Sequence, residues 1–253
     1  MPHSCNFYCA YLLLYINCIF SLINQLNIFK MKKIITITTL LVSIVSFAQT
    51  SIQVINLDVK MGAAKEVAGL FAEYSDVERK SGASVLQSVN YLGDNVSHRI
   101  LLVGDPSNWG FKVEKTDAEW DAYLGKIQRN LNGGTGSMVM TNLRWRDGDG
   151  KKNKTHKNWE MIVHEPAKFA KAYDKFIKAI DDILDDRIVA LESIDMGGLG
   201  GTHNTWLSGS NLNDIILTER AINKTEAFQN FIAERGKVEL VKSYLTNNIH
   251  VFN

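Results

Sequence analysis

The sequence predicts an α+β protein made of two tandem βαββαβ units packed sheet to sheet as an intramolecular barrel. Three observations carry this: a histidine-bearing strand pattern that occurs twice, helical stripes that flank it at nearly constant spacing, and a stretch between the copies that contains no apolar residue.

The strand pattern is GTHNTWLSG, Gly201–Gly209, which is echoed by VSHRILLVG, Val96–Gly104. Placing His98 on His203, an offset of 105, also superposes Ser97 on Thr202, Leu102 on Leu207 and Gly104 on Gly209. Upstream, the stripes Val67, Leu70, Phe71, Tyr74, Val77 and Tyr173, Phe176, Ile177, Ile180, Ile183 share one helical spacing at an offset of 106, each marking one face of a 3.6-residue helix. Downstream, Trp120, Tyr123, Leu124 match Phe228, Phe231, Ile232 at 108, and MTNLRW (Met140–Trp145) lies over LTNNIH (Leu245–His250) at 105. Four anchors in one order, drifting as small loop insertions would make them drift, predict an internal duplication.

Each unit opens on a short strand, IQVINLDVK from Ile52 or NWEMIVHEP from Asn158. A helix follows at once, and Pro166 suits a first helical turn, where its missing N–H costs nothing. Two strands come next, Val85–Leu92 and Val96–Val103 in the first unit, Ile188–Met196 and Thr202–Leu207 in the second. They are joined by GDN and by GGLGG, turn-forming sequences in both cases. The second helix and a final strand close the unit. Right-handed crossovers then place both helices on one face of a four-stranded antiparallel sheet, and the bare face needs a cover that a second copy supplies. Units are expected over residues 49–146 and 158–253. Between them RDGDGKKNKTHKN, Arg146–Asn158, has no apolar side chain; it is expected to stay out of the core as a linker over 147–157. Its DGDG is not a calcium loop, because Lys151 stands where such a loop needs Asp or Asn and the distal Glu is missing.

Ahead of the units, MKKIITITTLLVSIVSFAQT from Met31 reads as a bacterial secretory signal over 31–48, with two lysines, an apolar run from Ile34 to Val45 and Ala48 before Gln49. Residues 1–30 contain no acidic residue and read as an upstream extension. The rival reading, a membrane span from Ala10 to Phe29, would bury Asn17, Asn24 and Gln25 in hydrocarbon. All three cysteines, Cys5, Cys9 and Cys18, precede the signal, so the exported chain has no disulfide, thiolate metal site or cysteine nucleophile. Loss of Lys30, Lys32 and Lys33 from 28 basic residues leaves 25 against 27 acidic, a balance of −2. That excludes the basic stripe a nucleic-acid partner requires. A periplasmic or secreted protein without stable membrane insertion is expected, monomeric because one chain completes the barrel.

In element order and duplication the chain resembles, over about residues 52–253, the dimeric α+β barrel superfamily. That group includes antibiotic-biosynthesis-monooxygenase-like and stress-responsive barrels built from ferredoxin-like units. The resemblance implies the fold and carries no functional residue with it.

Strand alternation puts His98, Ile100 and Leu102 on one face, and His203, Thr205 and Leu207 on the equivalent one. Arg99 and Leu101, and Asn204 and Trp206, take the opposite faces. Either histidine could serve as a general base or as a metal or haem ligand, and the plain alternative is a hydrogen bond to a neighbouring backbone or turn group. Asn204 and Trp206 are candidate pocket-wall residues. In RWR, alternation sets Arg144 and Arg146 on one side and Trp145 on the other, so Arg144 and Trp145 are candidates for binding a ligand anion. His164 and Glu165 in VHEP point to opposite faces and are poorly placed to pair. GGLGG, Gly197–Gly201, precedes a strand and lacks a following Lys-Ser/Thr, so it reads as a hairpin lip instead of a phosphate loop. DDILDD, Asp181–Asp186, reads as the outer face of a helix end. The functional expectation is a small organic ligand held in a cavity, with no cofactor and no metal. The alternatives are a cofactor-free monooxygenase, isomerase or lyase with His203 or His98 as base, and a haem-binding variant.

Overall fold

The computed structural model describes residues 50–253 apart from Asp94; the expected extension (1–30) and signal peptide (31–48) lie outside the described residues. The first unit runs β1 (Ser51–Val59), α1 (Ala64–Ser75), β2 (Ala83–Asn90), β3 (His98–Gly104), α2 (Asp117–Arg129) and β4 (Leu131–Arg146). The second runs β5 (Thr155–Val163), α3 (Pro166–Ala179), a single turn α4 (Asp181–Leu184), β6 (Val189–Gly197), β7 (His203–Gly209), α5 (Leu212–Asn223), α6 (Glu226–Glu234) and β8 (Val238–Phe252).

All strand pairs are antiparallel, and the order β1-β3-β2-β8-β5-β7-β6-β4 closes on itself. Each unit therefore contributes a four-stranded sheet ordered 4-1-3-2, and the two sheets join at both edges, β2 to β8 and β4 to β6. The expected sheet-to-sheet barrel is present, and hydrogen bonds weld its seams. Closure removes the exposed edges that an open sheet would present to other chains.

The register tests the duplication position by position. Gln87 faces Arg99 in the first unit as Glu192 faces Asn204 in the second, which preserves the offset of 105. The last strands do not: Met138 pairs with Val54 and Tyr244 with Asn158, so Met138 corresponds to Tyr244, an offset of 106. The sequence match of MTNLRW to LTNNIH is thus one residue out, and in a strand one residue exchanges the faces. The first helices are also displaced. Tyr74 stacks on Tyr123 at 4.0 Å, and Phe176 stacks on Phe231 at 4.7 Å, which makes Tyr74 equivalent to Phe176, an offset of 102. The sequence alignment at 106 was one turn off, because a four-residue slip returns a helical stripe to the same face.

The outward faces of the sheets bear the main apolar clusters. Leu57, Val59, Val67, Tyr123 and Ile127 pack under α1 and α2, while Met161, Val163, Phe169, Ala172, Tyr173, Leu191 and Phe231 pack under α3 and α6. A capping box formed by Thr116 and Glu119 starts α2. The helix α5 was not anticipated. Its signal was legible, with Asn211 Oδ1 accepting from the Asp214 N–H at 3.0 Å and a buried stripe of Ile215, Thr218 and Ile222.

The polar connector departs from expectation. Thr155–Lys157 belong to β5 instead of the linker, and His156 and Asn153 are buried. The acidic run at Asp181–Asp186, expected as a free helix face, clasps this connector. Arg146 pairs with Asp181, Lys152 with Asp186, and the Asn153 amide donates to Asp186.

Leu191 lies on β6 with no exposed surface, inside the second unit's core. Leu191→Ala is expected to cost about 2–5 kcal/mol of unfolding free energy in urea denaturation.

Candidate functional site

The strand faces that look away from the helices meet inside the barrel. One part of this interior is apolar: Ile52, Val54, Met138 and Met140 pack with Leu101, Val103 and Ile194. The other part is a buried polar network, which explains how a stretch without apolar residues joins the core. Arg99 Nε donates to Gln87 Oε1 at 2.6 Å, Gln87 Nε2 donates to Asn248 Oδ1 at 2.7 Å, and Arg99 also donates to the Tyr244 hydroxyl at 3.1 Å. Across from them Glu192 accepts from Asn204 Nδ2 at 2.8 Å and Trp206 Nε1 at 2.9 Å. Glu160 Oε1 accepts from the backbone N–H groups of Leu199 and Gly201 at 2.7 and 2.9 Å. The GGLGG lip is thereby tied to a buried carboxylate. A Cβ at Gly201 would come within 2.4 Å of the Glu160 side chain, so this position requires glycine.

Burial governs protonation here. It pushes the His156 imidazole down to about 3, with the Arg99 charge adding to the effect, and it raises the Glu192 carboxyl, against the hydrogen bonds from Asn204 and Trp206. Charged forms lose hydration in such a place, so the imidazole is held neutral and the carboxyl gains its proton more readily than in water.

The two repeated histidines are elsewhere. His98 and His203 face the helices. Each Nδ1 meets the hydroxyl of the preceding residue, Ser97 at 3.1 Å and Thr202 at 2.9 Å. The same hydroxyls accept from the last N–H of the neighbouring strand, Val59 at 3.0 Å and Val163 at 2.9 Å. This small network is duplicated bond for bond. Burial depresses both imidazoles.

Asn204 and Trp206 are brought together with Glu192 inside the barrel. Trp145 meets Trp206 edge to face at 5.3 Å. Arg144 is on the outside, paired with Asp174 at 2.6 Å, and Arg146 is likewise engaged by Asp181. His164 contacts Glu239 at 2.9 Å and not Glu165.

The largest cavity described is a space that the sequence reading did not locate. It measures about 490 Å³ and lies between the second unit's sheet and helices α3, α5 and α6. Its wall is aromatic and aliphatic, with Trp159, Phe169, Tyr173, Phe176, Phe228 and Phe231 supplying the rings. Glu219, Asn223 and Arg235 are its main polar members. Of the four residues expected to bind ligand, Trp206 alone borders this cavity, and its indole is turned to the barrel interior, where it bonds Glu192. Both oxygens of Glu219 accept from Lys157 Nζ at 2.8 Å, so that carboxylate is already neutralised. Tyr173, whose hydroxyl accepts from Thr205 at 3.3 Å, is raised by burial and stays protonated. Such a site can enclose an apolar body, and its size falls in the range of small-molecule pockets.

No family model matches the chain, and no curated protein matches it in sequence. Solved structures do match. A candidate monooxygenase from Lactobacillus acidophilus superposes with a TM-score of 0.53 at 8% identity, over 81% of this chain and 96% of that one. A candidate monooxygenase from Fusobacterium nucleatum gives 0.52 at 12% identity, over 82% and 95%. A haem-binding protein from Thermus thermophilus gives 0.46 at 12% identity, over 80% and 92%. These likenesses show a shared fold, an α+β barrel, here with two ferredoxin-like units in one chain.

Haem does not fit through the repeated histidines. Neither ring lines any of the three cavities described, and the wall of the large one contains no His or Cys. Among the described residues no three His, Cys, Asp or Glu side chains converge on a metal-sized site.

The buried imidazole sets a pH dependence. Unfolded His156 titrates at its ordinary 6.5 and the folded ring at about 3. The unfolded chain therefore binds more protons between these values, and stability is complete above 6.5 and lost as pH falls. Glu192 has the opposite sign, since its raised carboxyl favours the folded chain at low pH and loses that advantage as pH rises above 4.5. His156→Gln removes the first contribution and leaves the second. Its unfolding free energy is expected to fall less steeply than that of the parent between pH 6 and 4, by about 1.4 kcal/mol per pH unit in denaturant titrations.

Proposed function

We propose that the protein is an exported, monomeric binder of a small apolar or aromatic organic molecule, held between the second unit's sheet and α3, α5 and α6. The cavity of about 490 Å³ carries this reading. In this closed barrel the helix-covered face of a sheet is where an apolar core belongs, so an open volume there exposes aromatic surface that a ligand would cover. The leader at 31–48 supports export.

The alternative, a cofactor-free oxygenase, isomerase or lyase, would need a base at the cavity. His203 is one ring removed from it, its centroid 6.4 Å from that of Phe169, which lines the wall. His98 is in the other unit. The wall itself offers a neutralised Glu219 and a protonated Tyr173. The geometry therefore supports binding better than proton transfer.

Ile177 lines the cavity from α3. Ile177→Trp is expected to fill part of the volume and weaken uptake of 2-naphthamide at least about tenfold in calorimetric titration, with the circular dichroism spectrum unchanged. Unaltered uptake by a folded variant would place the ligand elsewhere.

A further inference from the structure

The cavity wall carries one cation that the protein leaves without a counter-charge. Arg235, at the end of α6, lines the cavity with its guanidinium 5.7 Å from the Phe231 ring centroid. Among the described residues no carboxylate lies within 4.0 Å of it, whereas three carboxylates on α5, α6 and β8 are engaged elsewhere. Glu219 is held by Lys157, Glu234 by Lys175 at 2.7 Å, and Glu239 by Lys237 at 2.7 Å and His164 at 2.9 Å.

Comparison of the two units sharpens this. The pairs Trp120 with Phe228 and Tyr123 with Phe231 set an offset of 108 for the second helices, and by it Arg235 corresponds to Ile127. Ile127 is buried in the first unit's core with Tyr123, Val67 and Leu57. None of the residues lining the three cavities belongs to α1 or α2. Where one copy fills its interior with an aliphatic side chain, the other opens a volume and turns a guanidinium to its wall. Partial burial depresses Arg235, with no acid offsetting the effect, as expected of a cation that still lacks its partner.

Resting on the binding reading above, we propose that the ligand is an amphipathic organic anion, its apolar or aromatic body seated among the rings and a single carboxylate received by Arg235. The planar guanidinium fork matches a carboxylate in a charge-assisted, bidentate contact. Neutralising a partly buried cation adds to what the apolar walls supply.

Calorimetric titration of the purified protein with 2-naphthoate and with its neutral isostere 2-naphthamide at neutral pH tests this. The carboxylate is expected to bind about tenfold or more tighter than the amide. Arg235→Gln should bring carboxylate affinity down to that of the amide, and Arg235→Lys should retain part of the preference. If both compounds bind alike, or if Arg235→Gln leaves the preference intact, the anion assignment is overturned and the cavity reading stands. If neither compound binds, the cavity reading itself falls.

Discussion

The two seams where the repeats hydrogen-bond, β2 to β8 and β4 to β6, are the constraint on which the rest of this protein depends. A single βαββαβ unit covers one face of its sheet with helices and leaves the other face and both edges bare. Joining two such units at both edges satisfies all these surfaces at once. The two seams share one bulge, between Leu86 and Gln87 in the first and between Asn142 and Arg144 in the second, and the second seam has a further shift between Val139 and Met140. Bulges bend and twist strands, and their repetition shows that the curvature needed for closure was duplicated with the unit.

Closure has a chemical consequence. The barrel interior is largely withdrawn from water, so most of its polar side chains bond one another. Arg99, Gln87, Asn248 and Tyr244 form one such set, and Glu192, Asn204 and Trp206 form another. Gln87 with Arg99 and Glu192 with Asn204 occupy corresponding positions with different chemistry, a cation bonded to an amide in one unit and a carboxylate bonded to an amide in the other. The interior is thereby specified more narrowly than an apolar core of equal volume would be. It leaves the ligand-sized space to the other side of the sheet.

There the copies have parted. Between β3 and α2 the first unit spends its connection on a short turn and on Phe111, which joins Tyr74, Trp120 and Tyr123 in a continuous aromatic cluster. At the corresponding place the second unit inserts α5, which packs on β5 and β7 and contributes Glu219, Ile222 and Asn223 to a cavity wall. The same stacked ring pair is present beneath both. The asymmetry of a nearly symmetric molecule is what separates the unit whose helix-covered face is filled from the unit with a cavity there.

Sequence alone determined the element order, the duplication and the alternation that sets Asn204 and Trp206 against His203, because these depend on local periodicity and on spacing along the chain. The bonds of His98 and His203 to adjoining hydroxyls were legible as the plain alternative, being contacts between neighbours in sequence. Only the tertiary structure decided the registers, since a helical stripe slipped by one turn and a strand match slipped by one residue look as good in sequence as the true alignment. It alone also showed that a stretch without apolar residues enters the barrel, that Asp181–Asp186 grips it, and that Arg235 stands beside an aromatic cavity. Each of these is a meeting of residues distant along the chain, and the hydrophobic pattern of a segment says which face is buried without saying what it is buried against.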